Sequence, residues 1–128
     1  MTHDKLYALA EQARGMAYSP YSRFAVGAAL LCDDGTVYTG CNIENAAYSP
    51  TVCAERVAIF KAVSEGRRSF KAIAVAGGPA ASSKADGDCF PCGVCRQVLA
   101  EFCPPTLEVV THSGVTTLGE LLPHAFNL

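Results

Sequence analysis

The sequence has no tryptophan and few charged residues, since only 17% of its 128 residues are Asp, Glu, Lys or Arg. The net charge is −2 and the isoelectric point is near 5.9, so the chain lacks the basic surplus typical of nucleic-acid-binding proteins. No apolar run approaches the length of a membrane-spanning helix, and the segment Met1–Leu6 has no hydrophobic core of a secretion signal. We therefore expect no binding to nucleic acid or membranes, and a cytoplasmic location.

Hydrophobic residues make up half of the chain, which is long enough for one core of ordinary size. A single domain of residues 1–128 would leave apolar surface that its own core does not cover, which favours a homo-oligomer. The seven cysteines are an odd number in a chain without a secretion signal. This pattern favours reduced thiols over a disulfide framework.

Hydrophobic periodicity predicts helices and strands that alternate after an initial hairpin. The fold class expected from this order is a three-layer α/β/α domain with a mixed sheet. The predicted helices cover residues 6–17, 53–63 and 92–102, the predicted strands cover 24–31, 36–42, 70–76 and 107–111, and a short segment at 117–122 closes the chain. Residues 77–79 (Gly-Gly-Pro) are predicted to form a turn before a surface loop at 80–88.

Two cysteine motifs contain the residue types of a catalytic zinc site. Cys53 is followed two residues later by Glu55, and Cys92 and Cys95 form a Cys-x-x-Cys motif behind Pro91. Three thiolates occupy three corners of a tetrahedral zinc and leave the fourth for water, whereas structural zinc sites use four protein ligands. Both motifs are predicted to begin helices, with Pro91 in a first turn, and positive helix ends favour thiolates. Glu55 would then lie beside the open position as a general acid and base.

The residues alone leave other interpretations of the cysteines open. Free cysteines are often buried as small hydrophobic residues, and an isolated Cys-x-x-Cys also occurs in redox pairs and structural zinc sites. A zinc-binding module without enzymatic activity would need a fourth protein ligand, and Cys89 is the only neighbour in sequence that offers one.

Considered together, Cys53-Ala54-Glu55 and Pro91-Cys92-x-x-Cys95 resemble the motifs of the small, all-cysteine cytidine deaminases. The segments 24–28, 42–45 and 121–126 also resemble family segments in the same order, so the similarity covers nearly the whole chain. The resemblance implies a five-stranded mixed sheet with the two metal helices side by side, a homotetramer and one zinc ion per chain. It also implies hydrolytic deamination of cytidine and 2′-deoxycytidine to the uridine products and ammonia, as in pyrimidine salvage.

The resemblance implies a role for each matching residue. Cys53, Cys92 and Cys95 would bind zinc, and Glu55 would carry protons between water, ring N3 and the leaving amine. Arg56 would donate hydrogen bonds to the ligand sulfurs and so draw negative charge from them. The implied substrate-binding residues are Phe24, which would stack on the pyrimidine, Asn42 and Glu44 at the ribose, Ala54, and Phe126 from a neighbouring subunit.

Three features leave part of this interpretation open. An Asn-x-Glu at the end of a strand also suits loop capping, and the two side chains point to one side only if the strand continues through Asn42 and Glu44. A relative that deaminates an aminoacylated nucleoside antibiotic shares the zinc motifs, although we would not expect it to keep this pair. His124 stands where relatives often have glycine, and the loop at 80–88 is longer than in many of them.

Overall fold

The computed structural model describes residues 1–128, which form four α-helices and five strands. In chain order the elements are α1 (His3–Ala13), a 3-10 turn (Arg14–Met16), β1 (Phe24–Cys32), β2 (Val37–Cys41), α2 (Ala54–Ser64), β3 (Phe70–Pro79), α3 (Gly93–Phe102), β4 (Glu108–Thr111), β5 (Gly114–Thr117) and α4 (Leu118–Leu121). None of the helices has the combination of length and hydrophobicity that spanning a membrane requires.

The five strands form one mixed sheet in the order β2-β1-β3-β4-β5. β1 pairs antiparallel with both β2 and β3, and β4 pairs antiparallel with β5. β3 and β4 are the parallel pair, and a parallel connection needs a crossover, which α3 provides. The mixed sheet expected from the sequence is therefore confirmed.

Alternating side chains of the central strands fill two separate cores, one on each face of the sheet. On one face Leu6 and Ala10 of α1 pack with Ala29 and Ala74. The other core contains the buried residues of α2 and α3 together with those of the opposite strand face, including Ala58, Ile59, Leu99, Leu30 and Ile73. This arrangement of helix, sheet and helix confirms the three-layer prediction.

The predicted turn at residues 77–79 is wrong, because β3 continues through it to Pro79. These residues pair with the start of β1, where Phe24 lies opposite Pro79 and Ala25 opposite Gly78. Pro79 is tolerated because it is the last residue of the strand, where a missing N–H costs little. The pairing with β1 therefore overrides the local preference of Gly-Gly-Pro for a turn.

The start of α3 and the end of the chain add detail to the predicted elements. Pro91 does not lie in the first turn of α3, since Cys92 is the N-cap and Pro91 precedes it. The short segment at 117–122 contains the last residue of the fifth strand, Gly114–Thr117, and then α4, which follows the strand directly. Periodicity did not predict this strand because it contains only four residues (Gly, Val, Thr and Thr), and all of them are exposed or half-buried.

Candidate metal centre and active site

The N-terminal ends of α2 and α3 bring the sulfur atoms of Cys53, Cys92 and Cys95 together. Cys53 and Cys92 are the N-cap residues of the two helices, and Cys95 lies in the first turn of α3. All three sulfurs lie within 4.8 Å of one another, and the Sγ atoms of Cys53 and Cys92 are 3.8 Å apart. Zinc–sulfur bonds of about 2.3 Å in tetrahedral geometry require sulfur–sulfur distances of about 3.8 Å. The three cysteines therefore fit a single zinc ion.

Charge in this cluster is centred on Cys53. A hydrogen bond from the Cys95 thiol, with a further contribution from Arg56, lowers the pKa of Cys53 to about 5. The same hydrogen bond, together with burial, raises the pKa of Cys95. The Cys53 thiolate thus forms readily, and its negative charge hinders ionisation of Cys95. A bound cation would allow all three cysteines to ionise.

Arg56 lies against the cysteine cluster. Its Nη2 atom donates a hydrogen bond to Cys53 Sγ at 3.4 Å, and this bond is the main reason that the pKa of Arg56 is raised. The Nε atom of Arg56 is buried and has no hydrogen-bond acceptor of its own. The guanidinium is therefore held by sulfur rather than by a carboxylate, and it offsets part of the negative charge of the thiolates.

Glu55 is the second residue of α2, and only 4% of it is exposed. Burial raises its pKa to about 7, and the nearby charge of Cys53 adds to the increase. Glu55 does not belong to the group of ligand atoms that gathers at the cysteines. A carboxyl group that titrates near neutral pH beside a metal site, without binding the metal, can both accept and donate protons.

The position of α2 depends on a glycine that the sequence analysis did not single out. A Cβ atom on Gly40 in β2 would lie 2.4 Å from the carbonyl oxygen of Ala54 and 2.7 Å from the amide nitrogen of Ala58. Only glycine lets the strand approach the first turn of α2 this closely. A glycine inside a strand is the sequence signal for such an approach.

Cys89 lies near the site but outside the metal cluster. Its sulfur atom packs against Gly77, and the ring of Phe24 contacts the same glycine. Burial raises the pKa of the Cys89 thiol to about 11, with smaller contributions from the charges of Glu55 and Cys53. Cys89 does not belong to the group of ligand atoms that gathers at Cys53, Cys92 and Cys95, and three protein ligands are the number that leaves a position open at a catalytic zinc.

Asn42 and Glu44 do not continue a strand, because β2 ends at Cys41. The Asn42 amide joins the loop to β1: Nδ2 donates to the Phe24 carbonyl oxygen at 2.8 Å, and Oδ1 accepts from the Val26 amide at 2.9 Å. This contact is the capping role that the sequence analysis left open.

Glu44 is also hydrogen-bonded within the chain. Its Oε1 atom accepts from the amides of Tyr21 at 2.9 Å and Ser22 at 3.1 Å, and the Ser22 hydroxyl donates to Oε2. The Ser22 hydroxyl is the main reason that the pKa of Glu44 is lowered. Glu44 lines an open cleft of about 400 Å³ together with Tyr21, Ser22, Asn45, Tyr48 and Thr51.

The remaining substrate-binding predictions fall on residues with different exposure. Phe24 opens β1 and is 39% exposed, whereas Ala54 is fully buried in the single chain. Phe126 lies in the C-terminal tail, and its side chain is 69% exposed. Its backbone is held by Gln97 of α3, a residue that sequence reasoning missed.

Arg14 is a third residue that no local pattern in the sequence singles out. It is buried, and its guanidinium donates to the carbonyl oxygens of Ala25, Gly78, Pro79 and Ser82 at 2.9 to 3.4 Å. These contacts fix the end of the β1–β3 pair, which carries Phe24.

The family is shown by comparison with known proteins. The family model described as "Cytidine and deoxycytidylate deaminase zinc-binding region" matches residues 1–111. A cytidine deaminase from Sporosarcina psychrophila is 53% identical over 132 aligned residues, which cover 99% of this chain and 93% of the relative.

Solved structures give the same result. The crystal structure of cytidine deaminase from Burkholderia pseudomallei matches with a TM-score of 0.89 and 50% identity, covering 98% of this chain and all of that chain (100%). That of the Mycobacterium tuberculosis cytidine deaminase matches with a TM-score of 0.88 and 43% identity, covering 100% and 99% of the two chains. These matches confirm the fold that the resemblance implied, and the chain belongs to the cytidine and deoxycytidylate deaminase family.

Proposed function

We propose that this protein is a zinc-dependent deaminase that converts cytidine and 2′-deoxycytidine to uridine and 2′-deoxyuridine with release of ammonia. The observation that carries the proposal is a cluster of three cysteines, with no fourth protein ligand, next to the buried carboxyl group of Glu55. The relatives named cytidine deaminase support it, because they match over nearly the whole chain.

Glu55 carries the protons in the proposed reaction. When zinc is bound by Cys53, Cys92 and Cys95, it supplies a Lewis acid that lowers the pKa of water. Glu55 accepts the proton of the attacking water and donates a proton to ring N3 as the bond from oxygen to C4 forms. Glu55 then transfers the remaining hydroxyl proton to the amino group, the C4–N bond breaks and ammonia leaves. A pKa of about 7 suits both directions of transfer at neutral pH.

The pyrimidine and the ribose would contact different residues. The partly exposed ring of Phe24 offers a face for stacking on the base. Asn42 uses one donor and one acceptor within the chain, so its amide keeps one N–H and one lone pair for the sugar. Glu44 accepts two hydrogen bonds at Oε1 and one at Oε2, so one acceptor site remains on Oε2, and its partners in the chain are all uncharged. The two residues would therefore combine a structural role with recognition of a sugar hydroxyl.

We propose that residues 1–128 act as one catalytic domain of a homotetramer with composite sites. Large apolar side chains lie on the surface, among them Phe60 at 48% exposure, Phe90 at 45% and Phe126 at 69%. Association of several copies would cover such residues. A zinc site made of three thiols needs a reducing compartment, which supports a cytoplasmic enzyme of pyrimidine salvage. Light scattering tests the assembly, and a monomeric mass in a fully active sample would exclude it.

Substrate comparison tests the proposed recognition of a free nucleoside. We expect cytidine to have a higher kcat/KM than cytosine, because cytosine leaves the polar groups at the ribose unpaired. Cytidine monophosphate should also be a poor substrate, since no cation among the partners of Glu44 would neutralise a phosphate. Glu44→Gln should lower kcat/KM for cytidine and reduce the discrimination against the monophosphate.

The control for this comparison is Glu101→Gln, which changes an exposed glutamate of α3 in the same way. Activity on an aminoacylated nucleoside antibiotic but not on cytidine would favour the alternative substrate class. A preference of the unmodified protein for cytidine monophosphate over cytidine would refute the proposed role of Glu44.

A further inference from the structure

The C-terminal tail is attached to α3 by two consecutive side chains. Arg96 Nη1 donates to the carbonyl oxygen of Leu121 at 2.9 Å, where α4 ends. Gln97 Nε2 donates to the carbonyl oxygen of Phe126 at 3.1 Å, and the Phe126 amide donates to Gln97 Oε1 at 3.4 Å. No other side chain makes a hydrogen bond to residues 123–128, so the Gln97 amide is the only side-chain anchor of the last part of the chain.

The Phe126 ring remains exposed although its backbone is fixed. A primary amide presents a donor and an acceptor side by side, so it holds the N–H and C=O groups of one residue in a defined orientation. Yet 69% of Phe126 is accessible, and the ring belongs to neither hydrophobic core of its own chain. Because the backbone of Phe126 is held in one orientation, its exposed ring is directed to a defined position outside its own chain, where another molecule can contact it.

We propose that Gln97 is a positioning residue that presents Phe126 to the active site of a second copy of this chain. The inference rests on the proposed composite site and adds the residue that holds its contributing side chain in place. Gln97 lies two residues after Cys95 on the same helix. Helix α3 therefore carries Cys95, a zinc ligand of its own active site, and Gln97, which holds the Phe126 that would enter the neighbouring active site.

Loss of the anchor should change substrate binding more than the chemical step. Without the Gln97 amide, Phe126 must be ordered each time substrate binds, and this cost reduces affinity. An interaction made equally with bound substrate and with the transition state changes KM and leaves kcat unchanged. We expect Gln97→Ala to raise KM for cytidine by about tenfold, which corresponds to about 1.4 kcal/mol.

The first test compares Gln97→Ala with Gln12→Ala, which removes an exposed glutamine of α1 far from the tail. Gln97→Ala should raise KM. Its kcat and zinc content should stay within twofold of those of the unmodified protein, and its melting temperature should stay within a few degrees. Gln12→Ala should change none of these quantities. An unchanged KM would overturn the proposal. So would loss of zinc or of kcat, because Gln97 would then act on the metal helix of its own site.

A mixed assembly distinguishes a role between subunits from a role within one. Gln97→Ala chains are co-expressed with Glu55→Gln chains, which have no proton carrier but keep an intact tail anchor. In the mixed oligomer, active sites of Gln97→Ala chains would receive Phe126 from Glu55→Gln chains, so part of the activity should return at the KM of the unmodified protein. A KM that stays raised in the mixture would show that Gln97 acts only within its own chain.

A third measurement is independent of substrate. Chymotrypsin cleaves after Phe126, and the loss of Asn127 and Leu128 is visible in the mass of the chain. We expect cleavage of Gln97→Ala to be at least fivefold faster than that of the unmodified protein and of Gln12→Ala. Equal rates would refute the anchoring role even if the protein proved inactive on cytidine. Inactivity or a monomeric mass of the unmodified protein would instead count against the proposed function.

Discussion

Gly40→Ala should displace the helix that carries Cys53 and Glu55. The added Cβ atom would lie 2.4 Å from the Ala54 carbonyl oxygen, whereas ordinary contacts begin at 3.4 Å. The neighbour is helix backbone rather than a flexible side chain, so the first turn of α2 must move by about 1 Å. Overpacking of this kind costs about 1–3 kcal/mol, and a 1 Å misplacement of catalytic groups can lower the rate about 100-fold.

The variant is measured by thermal unfolding, zinc content and steady-state kinetics. For a chain of this size we expect the melting temperature to fall by roughly 4–12 °C. The matched control is Gly15→Ala, because a Cβ atom at Gly15 meets nothing within 4 Å. If Gly40→Ala retained the melting temperature, zinc content and kcat of the unmodified protein, the close approach of β2 to α2 would not be what positions the site.

Three further variants test the electrostatics of the chain. Cys89→Ser should keep zinc and most activity, and loss of metal in this variant would show that Cys89 is a ligand. Arg56→Gln should weaken zinc binding about 10- to 100-fold in competition with a chelator, because it removes the donor to Cys53; unchanged affinity would contradict that role. The Thr36 amide, with help from Arg67, lowers the pKa of Asp34 to about 2. A lowered folded-state pKa stabilises the protein above about pH 4, and this contribution is lost as the pH falls towards 2. The stability deficit of Asp34→Asn in urea unfolding should therefore shrink between pH 5 and pH 2, and a constant deficit would refute the assignment.

The sequence predicted the parts of the fold that depend on local patterns. The helices that begin at the two cysteine motifs follow from apolar periodicity, and their observed starts differ from the prediction by one residue. Residues 77–79 were misassigned because Gly-Gly-Pro is locally a turn signal, while the pairing partner that makes it a strand lies at residues 24–26. Pairing between segments so far apart in the chain is not visible in local propensity.

The same distinction applies to the site. Cys53, Cys92, Cys95 and Glu55 can be selected from the sequence because each motif is short and its residue spacing has a chemical meaning. Gly40, Arg14 and Gln97 were missed because each acts on partners remote in sequence, such as Phe126 for Gln97. An arginine or a glutamine in an amphipathic helix carries no local signal that it holds a distant backbone.

The central claim is that a three-cysteine zinc site and the Glu55 carboxyl group together deaminate cytidine. It is tested most directly by measuring bound zinc and ammonia released from cytidine on the same samples of the unmodified protein and of Glu55→Gln. We expect about one zinc per chain in both proteins, ammonia release equal to uridine formation in the unmodified protein, and turnover at least about 10²- to 10⁴-fold slower in the variant. Near-normal ammonia release by zinc-loaded Glu55→Gln, or full activity of the unmodified protein after its zinc has been removed, would contradict the account.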